Sequence, residues 1–226
     1  MNVQHTSTAT PLIRRARPDE ADAVALRIAV SFHHLPVSQW LVGDESERTW
    51  ALRRYFQVIV QQVLNGGGHV DVIDDPALSG VAVWDHVRGE PLDEGGDYAR
   101  RRRAAVGDRL LPRFEMLDGT LAAHGKRGWH DHFLFLAVKQ KGQGRGLGTA
   151  LMRHHHAALD KTGTPAYLEA ATASLVGVYQ RHGYEAALPI SLPGDPAREI
   201  PALPAAFHPM WRIPVRPGDR YRPDEH

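Results

Sequence analysis

The chain contains no cysteine. That excludes a disulfide framework, a cysteine nucleophile and a thiolate metal site, and it agrees with a reducing compartment. Lysine is nearly as scarce: of 27 basic residues only Lys126, Lys139, Lys141 and Lys161 are lysine. The bias towards arginine and alanine is that of a GC-rich bacterial genome. No stretch approaches the roughly 20 apolar residues that a membrane span requires. Met1 to Pro11 lacks the basic start and apolar core of a secretion signal, so a cytoplasmic protein without a membrane partner is expected. The formal net charge is only +1, which gives no reason to expect a nucleic-acid partner. No internal repeat is visible.

What is present reads as one α/β domain with helices on both faces of a sheet. Its expected bounds are residues 12–213, between a disordered start at 1–11 and a charged, proline-containing tail at 214–226. Leu12 to Ala16 is a strand candidate. Pro18-Asp19-Glu20 opens a helix, with proline and acids in the first turn where they are favoured, and it runs to about Phe32. His33-His34-Leu35-Pro36 breaks it. A second helix is expected from Glu45 to Leu64, with Trp50, Leu52, Tyr55, Phe56, Ile59, Val60 and Val63 as its apolar stripe. Strands follow at 70–73 and 80–84, then a polar stretch from Asp85, and an inserted helical segment at about 98–123. Later strands are expected at 133–138, 165–170, 184–190 and 207–213, with a helix at 173–182.

One stretch dominates. Phe133 to Val138 is a short apolar run of the kind buried on both sheet faces. Glycines then alternate at 142, 144, 146 and 148, and from Leu147 the apolar spacing turns helical. A glycine turn that opens a helix offers unpaired N–H groups at the positive end of a helix dipole, which suits a phosphate. The P-loop pattern is absent, since no Gly-Lys-Ser/Thr occurs. The G-x-G-x-x-G pattern fails in both registers, because Leu147 and Thr149 occupy its third glycine position. The arrangement that fits is Gln143-x-x-Gly146-x-Gly148.

That arrangement resembles the Q/R-x-x-G-x-G/A signature of the GNAT N-acetyltransferases. Tyr179-Gln180-Arg181-His182-Gly183-Tyr184, downstream of the strand containing Glu169, is similar to the far half of the same family's core. The opening Ile13 to Asp22 is similar to its first strand and helix. The likeness covers roughly residues 12–213 and is greatest to the puromycin acetyltransferases and their actinobacterial relatives. It implies a mixed sheet of about seven strands, splayed to admit acetyl-CoA, and direct acetyl transfer to an amine without a metal. Gln143, Gly144, Arg145, Gly146, Leu147, Gly148 and Thr149 would cradle the cofactor pyrophosphate. Leu136, Ala137 and Val138 would bond the pantetheine through their backbone. Tyr179 would protonate the departing thiolate. The family's pantetheine-binding asparagine is replaced here by Leu175, with Ser174 or Thr172 as substitutes.

An alkyl ammonium must lose a proton before it attacks, and the residues leave the base open. Glu169 is an acid inside an otherwise apolar strand, costly unless it has a partner or a task. His130 and His132 share one strand face, with Asp131 opposite, as long as no bulge intervenes. His33, His34 and Trp40 fall where the family places its acceptor pocket. Consecutive helical residues point about 100° apart, so His154-His155-His156 cannot converge on one ion. Arg100 to Arg103 reads as a solvated helix face. The expected acceptor is a small-molecule primary amine, an antibiotic or biosynthetic intermediate, with a monomer or homodimer carrying it. The rivals are a protein or peptide N-acetyltransferase and a non-catalytic CoA-binding module.

Overall fold

The structure is a computed structural model that describes residues 11–88, 96–125 and 128–214. The stretches expected to be a disordered start and a tail fall, apart from Pro11 and Pro214, outside the described residues. Within them, β1 (Ile13–Arg15) leads through a 3-10 turn at Pro18–Glu20 into α1 (Ala21–Phe32). Glu20 fixes that entry: its carboxylate accepts the Arg17 N–H at 2.8 Å and both Arg14 guanidinium nitrogens at 2.7 Å. Next come α2 (Pro36–Leu41), α3 (Glu45–Asn65), β2 (His69–Ile73), β3 (Gly80–Arg88) and α4 (Asp97–His124). The second half contains β4 (Trp129–Val138), α5 (Leu147–Thr162), β5 (Ala166–Ala170), α6 (Ala173–Gln180), β6 (Glu185–Ala186), β7 (Ile190–Leu192) and β8 (Leu203–Arg212).

The strands form one mixed, open sheet in the order β1-β2-β3-β4-β5-β8-β6, with β7 pairing β8 beside that path. All pairings are antiparallel except that of β4 with β5. On one face α1 and α3 bury Val24, Ile28, Leu52, Phe56 and Val60 against the sheet. On the other, α5 and α6 pack Leu151, Met152 and Tyr179 against Trp84, Phe133 and Tyr184. Asp44 caps α3 by accepting the Ser46 N–H, as expected where the first turn leaves donors unpaired.

Three readings of the sequence need correction. The stretch from Asp85 to Arg88 continues β3, because its backbone goes on pairing with β4 from Asp85↔His132 to Arg88↔Trp129. Among the described residues the sheet has eight strands, since the segment 184–190 does not form a single strand: its start pairs as β6, while Ile190 opens β7. Trp50 leaves the α3 stripe and is exposed, where Arg54 lies over its ring at 4.6 Å. The helical stretch expected at about 98–123 is present as α4, in two segments broken at Gly107 with φ +72° and ψ 162°.

Two irregularities shape the middle of the sheet. Along β3 and β4, Val83 opposes Phe135 but Trp84 opposes Phe133, so Leu134 has no partner of its own: it is a bulge. Immediately before it, β4 and β5 part. Their register contains only Asp131↔Ala166 and His132↔Tyr167, while β5 continues along β8 to Ala170↔His208. From Phe133 onward β4 is paired on its β3 side alone.

Candidate active site

The parting of β4 and β5 opens a cavity of about 730 Å³. At one end stands the glycine turn. A 3-10 turn (Gln140–Gly142) leaves β4, and Gly144 and Gly146 take φ of +74° and +79°, values that side chains other than glycine's rarely adopt. Gly146 is the N-cap of α5. The first helical bond is donated by Ala150 to the Gly146 carbonyl, so the N–H groups of Leu147, Gly148 and Thr149 precede it. Gly148 brings helix and strand together: a Cβ there would meet Leu136 at 3.4 Å. Gln143 lines the cavity, with its amide 3.4 Å from the Val138 carbonyl. Arg145 is exposed.

At the other end the bulge does not disturb the parity of the residues before it. His130 and His132 both face the cavity, and Asp131 lies on the opposite sheet face. His132 Nε2 donates to Glu169 Oε2 at 2.7 Å across the point where the strands divide. Burial alone would lift the Glu169 carboxyl, but the charge and hydrogen bond of His132 outweigh it and hold it below its ordinary value. Burial alone would likewise lower His132, yet Glu169, with Asp85 assisting, raises it. The two therefore favour a carboxylate–imidazolium pair. His130 accompanies them; burial, then the charge of His132, lowers its pKa. Tyr179 projects from α6 into the same cavity, its ring 6.4 Å from that of Phe133. Burial pushes its phenol up to about 12.

The remaining wall is apolar and aromatic. Phe32, Phe56 and Phe135 meet edge to face, at centroid separations of 4.9–6.0 Å, and all three line the cavity together with Leu35, Leu121 and Phe207. Below them Asp118 of α4 accepts from Tyr55 at 2.5 Å, Tyr98 at 2.9 Å and Arg102 at 2.6 Å. One cavity-lining polar atom, Gln62 Oε1, is buried without a partner among the described residues.

The structure thus brings Tyr179, Glu169, His132, His130, Leu136, Val138 and Gln143 to one cavity. Several other expected residues are not brought there. His33 is held outside it, with Nδ1 2.8 Å from the Thr49 hydroxyl, and His34 is exposed against it. Trp40 is buried, donating to the Pro201 carbonyl at 2.6 Å. The reason is α2, unforeseen in the sequence: it turns Val37 and Ser38 to the cavity and Trp40 away. Ser174 is exposed and shares a hydrogen bond with Thr172, while Leu175 lines the cavity. Asp85, Gln62, Tyr167 and Asp118 escaped sequence reading. Only Asp85 left a signal, as an acid directly following an apolar run, much as Glu169 interrupts one.

Residues 102–186 match the family model described as the acetyltransferase (GNAT) domain. Three solved structures share the architecture. The histone acetyltransferase HPA2 and related acetyltransferase from Corynebacterium glutamicum is 20% identical, over 92% of this chain and 99% of that one, with a TM-score of 0.65. Arylalkylamine N-acetyltransferase 2 from Aedes aegypti is 14% identical, over 89% and 98%, with a TM-score of 0.54. The PaiA N-acetyltransferase from Thermoplasma acidophilum, solved in complex with coenzyme A, is 11% identical, over 89% and 98%, with a TM-score of 0.50. The fold is that of the GNAT acetyltransferases.

Proposed function

We propose that this protein transfers an acetyl group from acetyl-CoA to the primary amine of a small, largely apolar molecule. The observation that carries the reading is the parting of β4 and β5 after His132↔Tyr167. It leaves the β4 backbone from Phe133 to Val138 without a partner strand on that side, between the glycine turn and the His132–Glu169 pair. An extended amide-containing chain such as pantetheine can bond that edge, and its pyrophosphate would meet the N–H groups of Gly146 to Thr149. The fit is therefore good at both ends.

When bound, acetyl-CoA supplies the acetyl group already activated as a thioester. The chain's residues then do the rest. Glu169 and Asp85 attract the ammonium of the acceptor to the end of the cavity. The His132–Glu169 pair, once His132 is neutral, takes the ammonium proton, so that the amine nitrogen can form its bond to the acetyl carbon. His132 receives that proton and later returns it to water. Tyr179 gives its phenolic proton to the sulfur as the carbon–sulfur bond breaks, and is reprotonated from solvent. A phenol with its pKa pushed up to about 12 holds that proton at any physiological pH.

The walls favour an apolar acceptor: a ring or alkyl body would bury against Phe32, Phe56 and Phe135. The likeness of the sequence to puromycin acetyltransferases makes an antibiotic or a biosynthetic intermediate the preferred class. The test is thiol release from acetyl-CoA by purified protein across a panel of aryl- and alkylamines. Release that depends on an amine supports the reading. Tight CoA binding with no release on any amine or peptide would instead make the chain a CoA-binding module, and release only with peptides a protein acetyltransferase.

A further inference from the structure

On the sheet face opposite the cavity, beneath α5, lies a second cluster that acetyl transfer does not use. The antiparallel register sets Arg15 beside Asp71 and His69 beside Trp84, all on that face. His155 of α5 descends on them and stacks on Trp84 at 4.2 Å. Its Nε2 is 2.8 Å from Asp131 Oδ2, while its Nδ1 is 3.8 Å from Asp71 Oδ2. Asp71 has a side chain only 1% exposed, and neither of its oxygens has a hydrogen-bond partner among the described residues. His69, Asp71 and His155 each bring one ligand atom, and the three atoms lie within 4.8 Å of one another.

The contacts around the cluster orient its members. A carboxylate can only accept, so the Asp131 bond holds the Nε2 edge of His155 and turns its Nδ1 edge towards Asp71. Asp131 is itself steadied by the His86 ring at 2.8 Å. On the other side, the Arg15 guanidinium donates to His69 Nε2 at 2.9 Å, so that nitrogen carries a lone pair. One ring nitrogen from each imidazole and one oxygen of the buried carboxylate therefore stand within 4.8 Å of one another, with Arg15 occupying the His69 Nε2 lone pair. Arg15, half exposed and 3.4 Å from Asp71, is the one cation beside it among the described residues. A histidine whose far N–H is held by a carboxylate is the usual state of a metal ligand.

We propose that His69, Asp71 and His155 form a divalent transition-metal site, zinc being the best match to two imidazoles and a carboxylate, with Asp131 orienting His155. Ligand atoms around zinc at about 2.0 Å stand roughly 3.3 Å apart, so the cluster contracts by a modest amount and Arg15 swings out to solvent. Asp71 and Asp131 then offset the charge of the ion, with Arg88 3.6 Å from the other oxygen of Asp131. Water takes the open coordination position. The ion pins the edge strands β1 and β2 to α5, the helix whose first turn bears the glycine loop, and its role is structural.

The test uses full-length, untagged, chelator-treated protein titrated with zinc chloride, and with cobalt chloride for its visible spectrum. The expected result is one zinc per chain at micromolar or tighter affinity, a rise in Tm, and a cobalt spectrum of nitrogen and oxygen ligation. Asp71→Asn should weaken binding at least 100-fold, yet its metal-free Tm should equal or exceed that of the wild type, because it removes a buried carboxylate that accepts no hydrogen bond. Asp131→Asn should cost about 10–100-fold. Arg15→Ala should tighten binding, and His33→Ala on the far face should leave it unchanged. Should Asp71→Asn not fold, His69→Ala, at a half-exposed strand start, replaces it. No stoichiometric zinc at micromolar concentration overturns the site, as does zinc binding that survives Asp71→Asn or His69→Ala, which would come from exposed histidines.

Discussion

His132 and Glu169 meet at 2.7 Å where their strands diverge. One residue earlier the strands are still paired; one residue later they have separated. The pair thus sits at the apex of the split, where an acceptor amine would approach a thioester lying along β4. This placement, rather than either residue alone, would give the proposed proton transfer its direction.

Glu169→Gln tests the pair through pH. Glu169 raises His132, so the wild-type rate should rise with pH through a His132 pKa above the ordinary 6.5. Removing the carboxylate should move that limb to lower pH and reduce plateau kcat/KM by roughly 10²–10⁴. Stability should follow a defined window. The raised His132 contributes fully below its unfolded value near 6.5 and loses this as pH rises through its folded pKa. The lowered Glu169 contributes above its unfolded value near 4.5 and loses this as pH falls through its folded pKa. The Tm difference between wild type and variant should therefore peak between pH 4.5 and 6.5 and shrink at pH 9.

Tyr179→Phe should lower kcat by about 10²–10⁴ and leave the dissociation constant of CoA, measured by calorimetry, nearly unchanged. With the phenol pushed up to about 12, the wild type should show no alkaline fall in rate below pH 10. Retention of full kcat in the variant would remove Tyr179 from the mechanism.

Gly146→Ala places a side chain at φ +79° with open space around it. The cost is conformational, about 1–2 kcal/mol. Calorimetry should show weakened CoA binding, because the distorted residue caps the turn whose N–H groups are proposed to meet the pyrophosphate. The KM for the amine should change little.

Gln62→Leu removes a buried, unpartnered amide oxygen from the acceptor wall. Relief of that desolvated group is worth about 1–3 kcal/mol, so Tm should hold or rise. If Gln62 bonds a donor on the acceptor, KM should increase for amines that carry a distal hydroxyl or amide and stay constant for purely hydrocarbon ones. Equal changes for both kinds would show that it does not.

The readable parts of the chain are those decided by neighbouring residues. The run Phe133 to Val138, the alternating glycines and the apolar spacing after Leu147 determine a strand, a turn and a helix, because backbone preference and periodicity act within a few positions. Glu169 announced itself as an acid inside a strand, and the shared face of His130 and His132 follows from the two-residue repeat. Tertiary structure decided what these residues do. Glu169 reaches His132 across 37 positions of sequence, and Trp40 is turned from the cavity by a bond to Pro201, 161 positions away. The wall from Phe32 to Phe207, the orphaned Gln62 and the Asp71 cluster exist only because distant segments share one sheet. Nothing in a local pattern encodes where two strands part, since that depends on which neighbour each prefers: after His132 the bulged β4 remains with β3, while β5 remains with β8.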